Sequence, residues 1–234
     1  MELKRTVETV IATGSLLDLV NQAQFGDIIT LVEDCQGLDD WRPHPEGVAT
    51  RKGRSISLNR EQQILELPFK PKAWAVSSKG EIFAQHRGNI FHVDPIMSQV
   101  ASEIDKDDEN ACWALCEAGV IVQNTFGGPL LHNGHKEIHP GGKFEWAPYY
   151  YGFVSAEYKR HRKQFRFNGK KVICQGEYDS WGVNPKGIII RRGNDLLLNG
   201  KAFIHRIQHE ESPWGGHFYG VAVEDNGKIN LVIT

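Results

Sequence analysis

Hydrophobic and polar positions alternate in short segments along much of the chain. Residues 54–58 and 63–67 alternate in this way, and residues 73–76 and 81–84 flank a four-residue loop, Ser77 to Gly80. Successive side chains of a strand point to opposite faces, so a strand with one buried face has an apolar residue at every second position. The pattern predicts hairpins built from short antiparallel strands.

Four Asn-Gly dipeptides, at 133–134, 168–169, 199–200 and 226–227, indicate tight turns in the C-terminal half. Asparagine and glycine tolerate the positive φ angles of a type I′ turn, whose twist matches that of the flanking strands. The flanking sequences predict strands over 164–167, 171–174, 195–198 and 202–205. Successive turns are 35, 31 and 27 residues apart, which predicts a β-meander rather than a true repeat array.

Two stretches have helical spacing. Residues 16–23 precede a predicted strand at 27–32, and Asp94-Pro95 supplies an N-cap and a first-turn proline. Apolar residues follow this cap at helical spacing, at Ile96, Met97, Val100 and Ile104. Asn110 caps a second short helix that ends near Ala118. The predicted fold class is therefore α+β, a mostly antiparallel β-sheet with hairpins and one central helical pair around 94–118.

The helical pair also suggests a division of the chain. Residues 1–93 form a β-rich N-terminal part, and residues 94–234 contain the helix pair and a C-terminal β-meander. At 234 residues, the same elements are also compatible with one continuous domain.

Composition narrows the class of protein. Hydrophobic residues at 40%, charged residues at 24% and a net charge of −2 are ordinary for a globular protein. No apolar run reaches the length of a membrane span, and the N-terminus lacks the pattern of a secretory signal. Four cysteines in a chain of this length favour reduced thiols over a disulfide scaffold. We therefore expect a cytoplasmic protein without a membrane partner; no oligomeric state is predicted.

The first candidate chemistry is a thiol nucleophile. In the predicted register Cys112 lies in the first turn of the second helix, where free amides and the helix dipole lower the pKa of a thiol. His217 begins a predicted buried strand and supplies an imidazole. The acidic run Asp105 to Glu109 acts in the opposite direction. The alternative is that Cys112 packs in the core of the helix.

Cys112-Trp113-Ala114-Leu115 resembles the nucleophile segment of papain-like cysteine peptidases and amidases, and the His217 segment is similar to their histidine strand. Asn230 follows on the next predicted strand, where that superfamily keeps a residue that orients the imidazole. The resemblance implies hydrolysis of an amide or related acyl bond in a peptide or amide substrate, with no cofactor. Cys112 would attack the carbonyl carbon, His217 would transfer the proton, and Asn230 would orient the ring.

A second candidate is a metal site formed by His132, His135 and His139 around a predicted hairpin turn. Imidazoles are ligands for zinc and iron. The alternative is that these histidines are solvated turn residues, since no Cys-x-x-Cys or His-Glu-x-x-His motif accompanies them.

The hairpins and histidines together give a non-enzymatic alternative. The segment from Gly187 to Lys201 resembles PAAR-type spike-tip proteins of phage tails and secretion systems, whose hairpins converge on a metal. This resemblance implies a β-rich structural or assembly protein that binds zinc or iron.

A third hypothesis concerns the basic segment from 158 to 166. Lys159, Arg160, Arg162 and Lys163 are positioned to neutralise phosphates, and three tyrosines at 149–151 precede them. The segment predicts contact with nucleic acid; the alternative is a solvated face, because the rest of the chain is not basic.

Overall fold

The structure is a computed structural model that describes residues 6–7, 15–93, 97–101, 112–125, 127–142, 144–149, 152–159 and 162–234. Within these ranges one short helix, α1 (Leu16–Gln22), is present. Ser15 caps this helix, since its Oγ accepts a hydrogen bond from the Asp18 amide at 3.3 Å. The predicted helix at 16–23 is therefore confirmed.

The other described elements are strands. The first eight, in chain order, are β1 (Thr6–Val7), β2 (Ile28–Val32), β3 (Asp40–His44), β4 (Gly47–Lys52), β5 (Ser55–Leu58), β6 (Gln62–Glu66), β7 (Ala73–Val76) and β8 (Ile82–His86). The next eight are β9 (Asn89–His92), β10 (Ser98–Ala101), β11 (Cys112–Cys116), β12 (Gly119–Gln123), β13 (Leu130–His132), β14 (Lys136–His139), β15 (Glu145–Tyr149) and β16 (Gly152–Lys159). The rest are β17 (Arg162–Phe167), β18 (Lys171–Gly176), β19 (Ser180–Asn184), β20 (Gly187–Arg192), β21 (Asp195–Leu198), β22 (Ala202–Arg206), β23 (Trp214–His217), β24 (Gly220–Asp225) and β25 (Lys228–Ile233).

These strands form six sheets, which are the blades of a six-bladed β-propeller. Blades 1 to 5 contain β3–β6, β7–β10, β11–β14, β15–β18 and β19–β22. Blade 6 contains β1, β2 and β23–β25. The prediction of an α+β fold is therefore wrong, although the predicted antiparallel hairpins are confirmed.

The blades belong to two compact units. One unit, residues 1–66 and 178–234, contains blades 1, 5 and 6, and we call it the terminal unit. The other, residues 67–177, contains blades 2, 3 and 4, and we call it the central unit. The boundary predicted between residues 93 and 94 falls inside blade 2, where β9 and β10 pair.

In the terminal unit, blade 6 joins the two ends of the chain. The N-terminal strand β2 pairs antiparallel with the C-terminal strand β25, with Ile29 opposite Leu231. The apolar core on one side of blade 6 includes Trp41 of blade 1, and the core on the other side includes Ile189 of blade 5. Because both faces of the sheet are covered, β2 and β24 read as nearly continuous apolar runs rather than as alternating ones.

In the central unit, the predicted helical pair is wrong. Residues 98–101 form β10 and residues 112–116 form β11, which pairs antiparallel with β12. Trp113 and Leu115 pack beside Val120, Val122 and neighbouring apolar groups. These two side chains share a face because they are two residues apart, which is the period of a strand. The proposed caps at Asp94 and Asn110, together with Pro95, Ile96 and Ile104, lie outside the described residues.

One tryptophan lies on the first strand of every blade, if the strands of blade 6 are counted from β23. The chain has six tryptophans, spaced 33 to 39 residues apart, and each is the first or second residue of that strand. A glycine follows each tryptophan six residues later, at 47, 80, 119, 152, 187 and 220. The chain is thus a true array of repeats, and the prediction of a simple meander is wrong.

The turn between the third and fourth strands uses the same device in blades 1, 3, 4 and 5. An asparagine side chain accepts a hydrogen bond, 3.0 Å long, from the amide that follows the repeat glycine. The asparagines are Asn59, Asn133, Asn168 and Asn199, all with positive φ. A Cβ on Gly187 would lie 2.3 Å from Asn199 Oδ1, so only glycine fits beside this side chain. The predicted Asn-Gly turns at 133, 168, 199 and 226 are confirmed.

In the described part of the chain, no helix has both the length and the apolar character that crossing a membrane would require.

Candidate functional site

Cys112 does not lie in a helix. It is the first residue of β11, opposite Gln123, and its exposed Sγ lies 3.8 Å from Gln123 Oε1. A strand has no dipole comparable to that of a helix, so the feature expected to activate this thiol is missing. The predicted helical environment of Cys112 is wrong.

His217 is buried in the terminal unit, and both of its ring nitrogens are hydrogen-bonded. Nε2 lies 2.8 Å from the Gly47 carbonyl oxygen and 3.0 Å from that of His44, and Nδ1 accepts from the Tyr219 amide at 3.3 Å. Burial lowers the pKa of His217 from 6.5 to about 4, against the opposing effect of the two carbonyls. The imidazole is therefore neutral near pH 7, and each nitrogen already has a backbone partner.

Asn230 is placed on β25, opposite Val223 of β24. Its Oδ1 accepts a hydrogen bond from Thr30 Oγ1 at 2.9 Å. Because the partners of the His217 ring are backbone groups, Asn230 does not orient that ring. The structure thus shows His217 and Asn230 in separate structural roles in the terminal unit, while Cys112 belongs to the central unit.

The three histidines of the metal hypothesis each contact nearby backbone. His132 Nε2 lies 2.8 Å from the Ala118 oxygen, and His135 Nδ1 lies 2.9 Å from the Asn133 oxygen. His139 Nδ1 accepts from the Gly141 amide at 3.2 Å, and its ring meets Phe144 edge-on. Across the described ranges, no group of three His, Cys, Asp or Glu residues is arranged to hold a metal ion.

The basic segment lies at the ends of two paired strands of blade 4. Lys159 ends β16, and Arg162 and Lys163 begin β17, with Lys159 opposite Arg162. Arg160 lies outside the described residues. The nucleic-acid hypothesis stays a prediction, since the backbone alone is described at these positions.

A hydrogen bond recurs between neighbouring blades within each unit. The indole N–H of a tryptophan on a first strand donates to a side chain on the second strand of the preceding blade. The three pairs are Trp113 with Gln85 at 3.0 Å, Trp146 with Gln123 at 3.0 Å, and Trp41 with Glu224 at 2.8 Å. In two of the three pairs the acceptor is the neutral amide oxygen of a glutamine. The hydrogen bond therefore does not require the negative charge of Glu224.

A pocket of about 410 Å³ in the terminal unit adjoins this carboxylate. It lies beside the first strands of blades 1 and 6 and the segment that leads from β2 to β3. The lining residues are Cys35, Leu38, Asp39, Asp40, Trp41, Arg42, Pro43, Pro213, Trp214, Gly215 and Glu224. This volume is within the range of small-molecule sites, about 300–1,000 Å³.

Cys35 is the thiol in this pocket, and it is not suited to act as a nucleophile. Its Sγ donates to Glu224 Oε1 at 3.1 Å. The pKa of Cys35 is raised from 9.0 to about 11. Burial is the largest cause, and the hydrogen bond to Glu224 and the charge of Glu224 add to it. A nucleophile requires the thiolate, which is scarce at neutral pH for such a group.

Arg42 is the cation of the pocket, and its charge is balanced locally. Its Nη1 donates to the Trp41 carbonyl at 2.7 Å, and its Nη2 lies 3.4 Å from Asp40. Burial lowers the pKa of Arg42, and the charge of Asp40 opposes this change. Arg51 bonds both Asp39 and Asp40, so two cations and two carboxylates share this corner.

Arg42 is also a departure from the repeat. The residue after the tryptophan is small in the other five repeats, namely Ala75, Ala114, Ala147, Gly182 and Gly215. Trp214 shows why small residues suit this place, because a Cβ on Gly182 would lie 3.3 Å from the Trp214 ring. The pocket therefore contains two residues, Arg42 and Glu224, that differ from those at matching positions of other blades.

The sequence interpretation missed this site, although a signal for it was available. Once the six tryptophans are aligned, Glu224 falls ten residues after Trp214, as Gln123 falls ten residues after Trp113. A scan against protein-family models gives no match for the chain, and a search among curated proteins also finds none.

Proposed function

We propose that this protein is a non-enzymatic binding protein that holds a small molecule in the pocket of the terminal unit. The observation that carries the proposal is the Glu224 carboxylate, which occupies a position where glutamine makes the same hydrogen bond in two other blades. A charged group that the fold does not require, placed at the wall of a pocket, is better explained by a ligand than by packing.

The chemistry of the pocket supports binding over catalysis. Its thiol has a raised pKa and is bonded to Glu224. Its guanidinium is held by Asp40 and the Trp41 carbonyl. Two indoles and two prolines give it apolar walls, and the charged groups of Asp39, Asp40, Arg42 and Glu224 give it polar ones, so it offers both kinds of contact that a ligand site uses.

Replacing Trp214 by leucine tests this proposal. Trp214 is half-buried and lines the pocket, and it also packs against the core between blades 5 and 6, so each protein is compared with its own melting temperature without ligand. We expect some members of a library of small metabolites to raise the melting temperature of the wild type but not of this variant, because a ligand stabilises only the state that binds it.

Phe203→Leu is the matched control, since Phe203 is an aromatic residue of blade 5 that is 45% exposed and does not line the pocket. This control should respond to the library like the wild type. The proposal would be contradicted if no compound raised the melting temperature, or if every active compound stabilised Trp214→Leu equally.

A further inference from the structure

The Glu224 carboxylate carries a charge that its surroundings do not neutralise. Its two partners, the Trp41 indole N–H at 2.8 Å and the Cys35 thiol at 3.1 Å, are both uncharged donors. No lysine or arginine in the described part of the chain forms an ion pair with it. A partly buried carboxylate without a cation is costly, and a cationic ligand would remove that cost.

The other charges of the pocket do not supply this cation. Asp39 and Asp40 are matched by Arg42 and Arg51, whose guanidinium groups lie 2.9 to 3.4 Å from carboxylate oxygens. This corner is therefore neutral as a whole. The charge of Glu224 remains, and the pocket as a whole is negative.

Two indoles accompany the carboxylate. Trp41 donates its N–H to Glu224, so the carboxylate lies at the edge of that ring, and Trp214 lines the same pocket. The face of an indole attracts ammonium and guanidinium groups because of its quadrupole. Aromatic groups next to an unneutralised carboxylate favour a cation over a neutral or anionic ligand.

We infer that the pocket binds a small organic cation, with an ammonium or guanidinium group next to Glu224 and its carbon chain against Trp41 and Trp214. This inference rests on the proposed function, since it names the class of ligand for the same pocket. The volume of about 410 Å³ favours a free small molecule over a segment of a macromolecule.

Glu224→Gln is the test, because glutamine at this position keeps an acceptor for the indole, as Gln85 and Gln123 do in the central unit. The probes are choline and agmatine, measured by titration calorimetry, with 3,3-dimethyl-1-butanol as the neutral isostere of choline. We expect saturable binding of at least one cation to the wild type, no binding of the isostere, and affinity lower by about tenfold or more in Glu224→Gln.

Glu46→Gln is the control, since it removes a carboxylate that is exposed, lies in the same unit and does not line the pocket. This variant should bind the probes like the wild type, which separates a local effect from a change in net charge. Failure of both cations to bind, equal binding of the isostere, or unchanged affinity in Glu224→Gln would overturn the inference.

The result also separates this inference from the proposed function. A neutral or anionic library compound that stabilises the wild type but not Trp214→Leu would uphold a ligand pocket and overturn the cationic class. The absence of any compound that depends on Trp214 would overturn both.

Discussion

At the scale of single residues, the histidine expected to be a base proves to be part of the framework of the terminal unit. The His217 ring connects the turn between β3 and β4 with its own strand. Nε2 contacts the carbonyls of His44 and Gly47, and Nδ1 accepts from the Tyr219 amide. This role requires one protonated and one unprotonated nitrogen, which is the neutral imidazole. In the folded protein the ring satisfies buried backbone groups.

The lowered pKa of His217 makes stability depend on pH. Because burial lowers the pKa of His217 from 6.5 to about 4, the unfolded chain binds the proton more tightly than the folded one. The neutral imidazole contributes fully to the unfolding free energy above pH 6.5, and this contribution is lost as the pH falls toward 4. The loss is on the order of 3 kcal/mol. Urea unfolding between pH 7 and 4.5 should show this loss.

The variant His217→Asn should have a lower unfolding free energy that changes less over the same pH range, because asparagine at position 217 does not titrate. His135→Asn, at an exposed turn position, should retain the slope of the wild type. An unchanged slope in His217→Asn would contradict this account. In the wild type, the NMR signals of the His217 ring should stay those of a neutral imidazole down to about pH 5.

At the scale of elements, the hairpin turns followed from local sequence and the helical pair did not. Asn-Gly determines its own backbone conformation, so the turns at 133, 168, 199 and 226 were predictable. The segment 112–116 has apolar residues that suit a helix or a strand, and its pairing with β12 decides between them. Which strand a segment pairs with depends on residues outside the segment, so a short window of sequence does not reveal it.

The asparagine of the turn gives an element-scale prediction. Asn199→Gly removes the steric cost of the positive φ, but it also removes the acceptor of the buried Ile188 amide. We therefore expect the unfolding free energy to fall by about 1–2 kcal/mol. Asn226→Gly is the matched control, because Asn226 has nearly the same φ, 53° against 52°, and its side chain makes no such hydrogen bond to another residue that the structure describes. Equal losses in the two variants, measured by chemical denaturation, would contradict the role of the side chain.

At the scale of the whole molecule, the fold depends on pairing between distant parts of the chain. The N-terminal strand β2 completes the sheet that the C-terminal strands of blade 6 form. Ile29 and Leu31 of β2 are fully buried against the C-terminal strands of blade 6. Pairing across so long a sequence separation closes the blade, and it leaves no signature in a short window of sequence.

Placing a charge on this closing strand tests its importance. Leu31→Asp buries an unpaired carboxylate in the core of blade 6, so the unfolding free energy should fall by about 4 kcal/mol or more. Ile64→Asp is the control on β6, the last strand of blade 1, where the side chain is 36% exposed. There the loss should be below about 1 kcal/mol. Similar losses in the two variants, measured by urea unfolding, would show that β2 does not hold the blade together.

The repeat is visible in the sequence, but at the tryptophans rather than at the Asn-Gly turns. The last interval between Asn-Gly turns, 27 residues, is the shortest because Asn226 belongs to a different turn of its blade from the other three. The tryptophans, each followed by glycine six residues later, are the regular marker. Their regularity has a physical cause, since each ring occupies the same place on a first strand.

The sequence by itself determined the local structure: short strands from alternation, tight turns from Asn-Gly, and the capped helix at 16–22. These follow from steric and hydrogen-bonding preferences within a few residues. Only the tertiary structure decided the propeller, the structural roles of His217 and Asn230, and the pocket beside Glu224. Burial and charge balance depend on side chains up to 200 positions apart in the chain, as with Thr30 and Asn230, which only folding brings together.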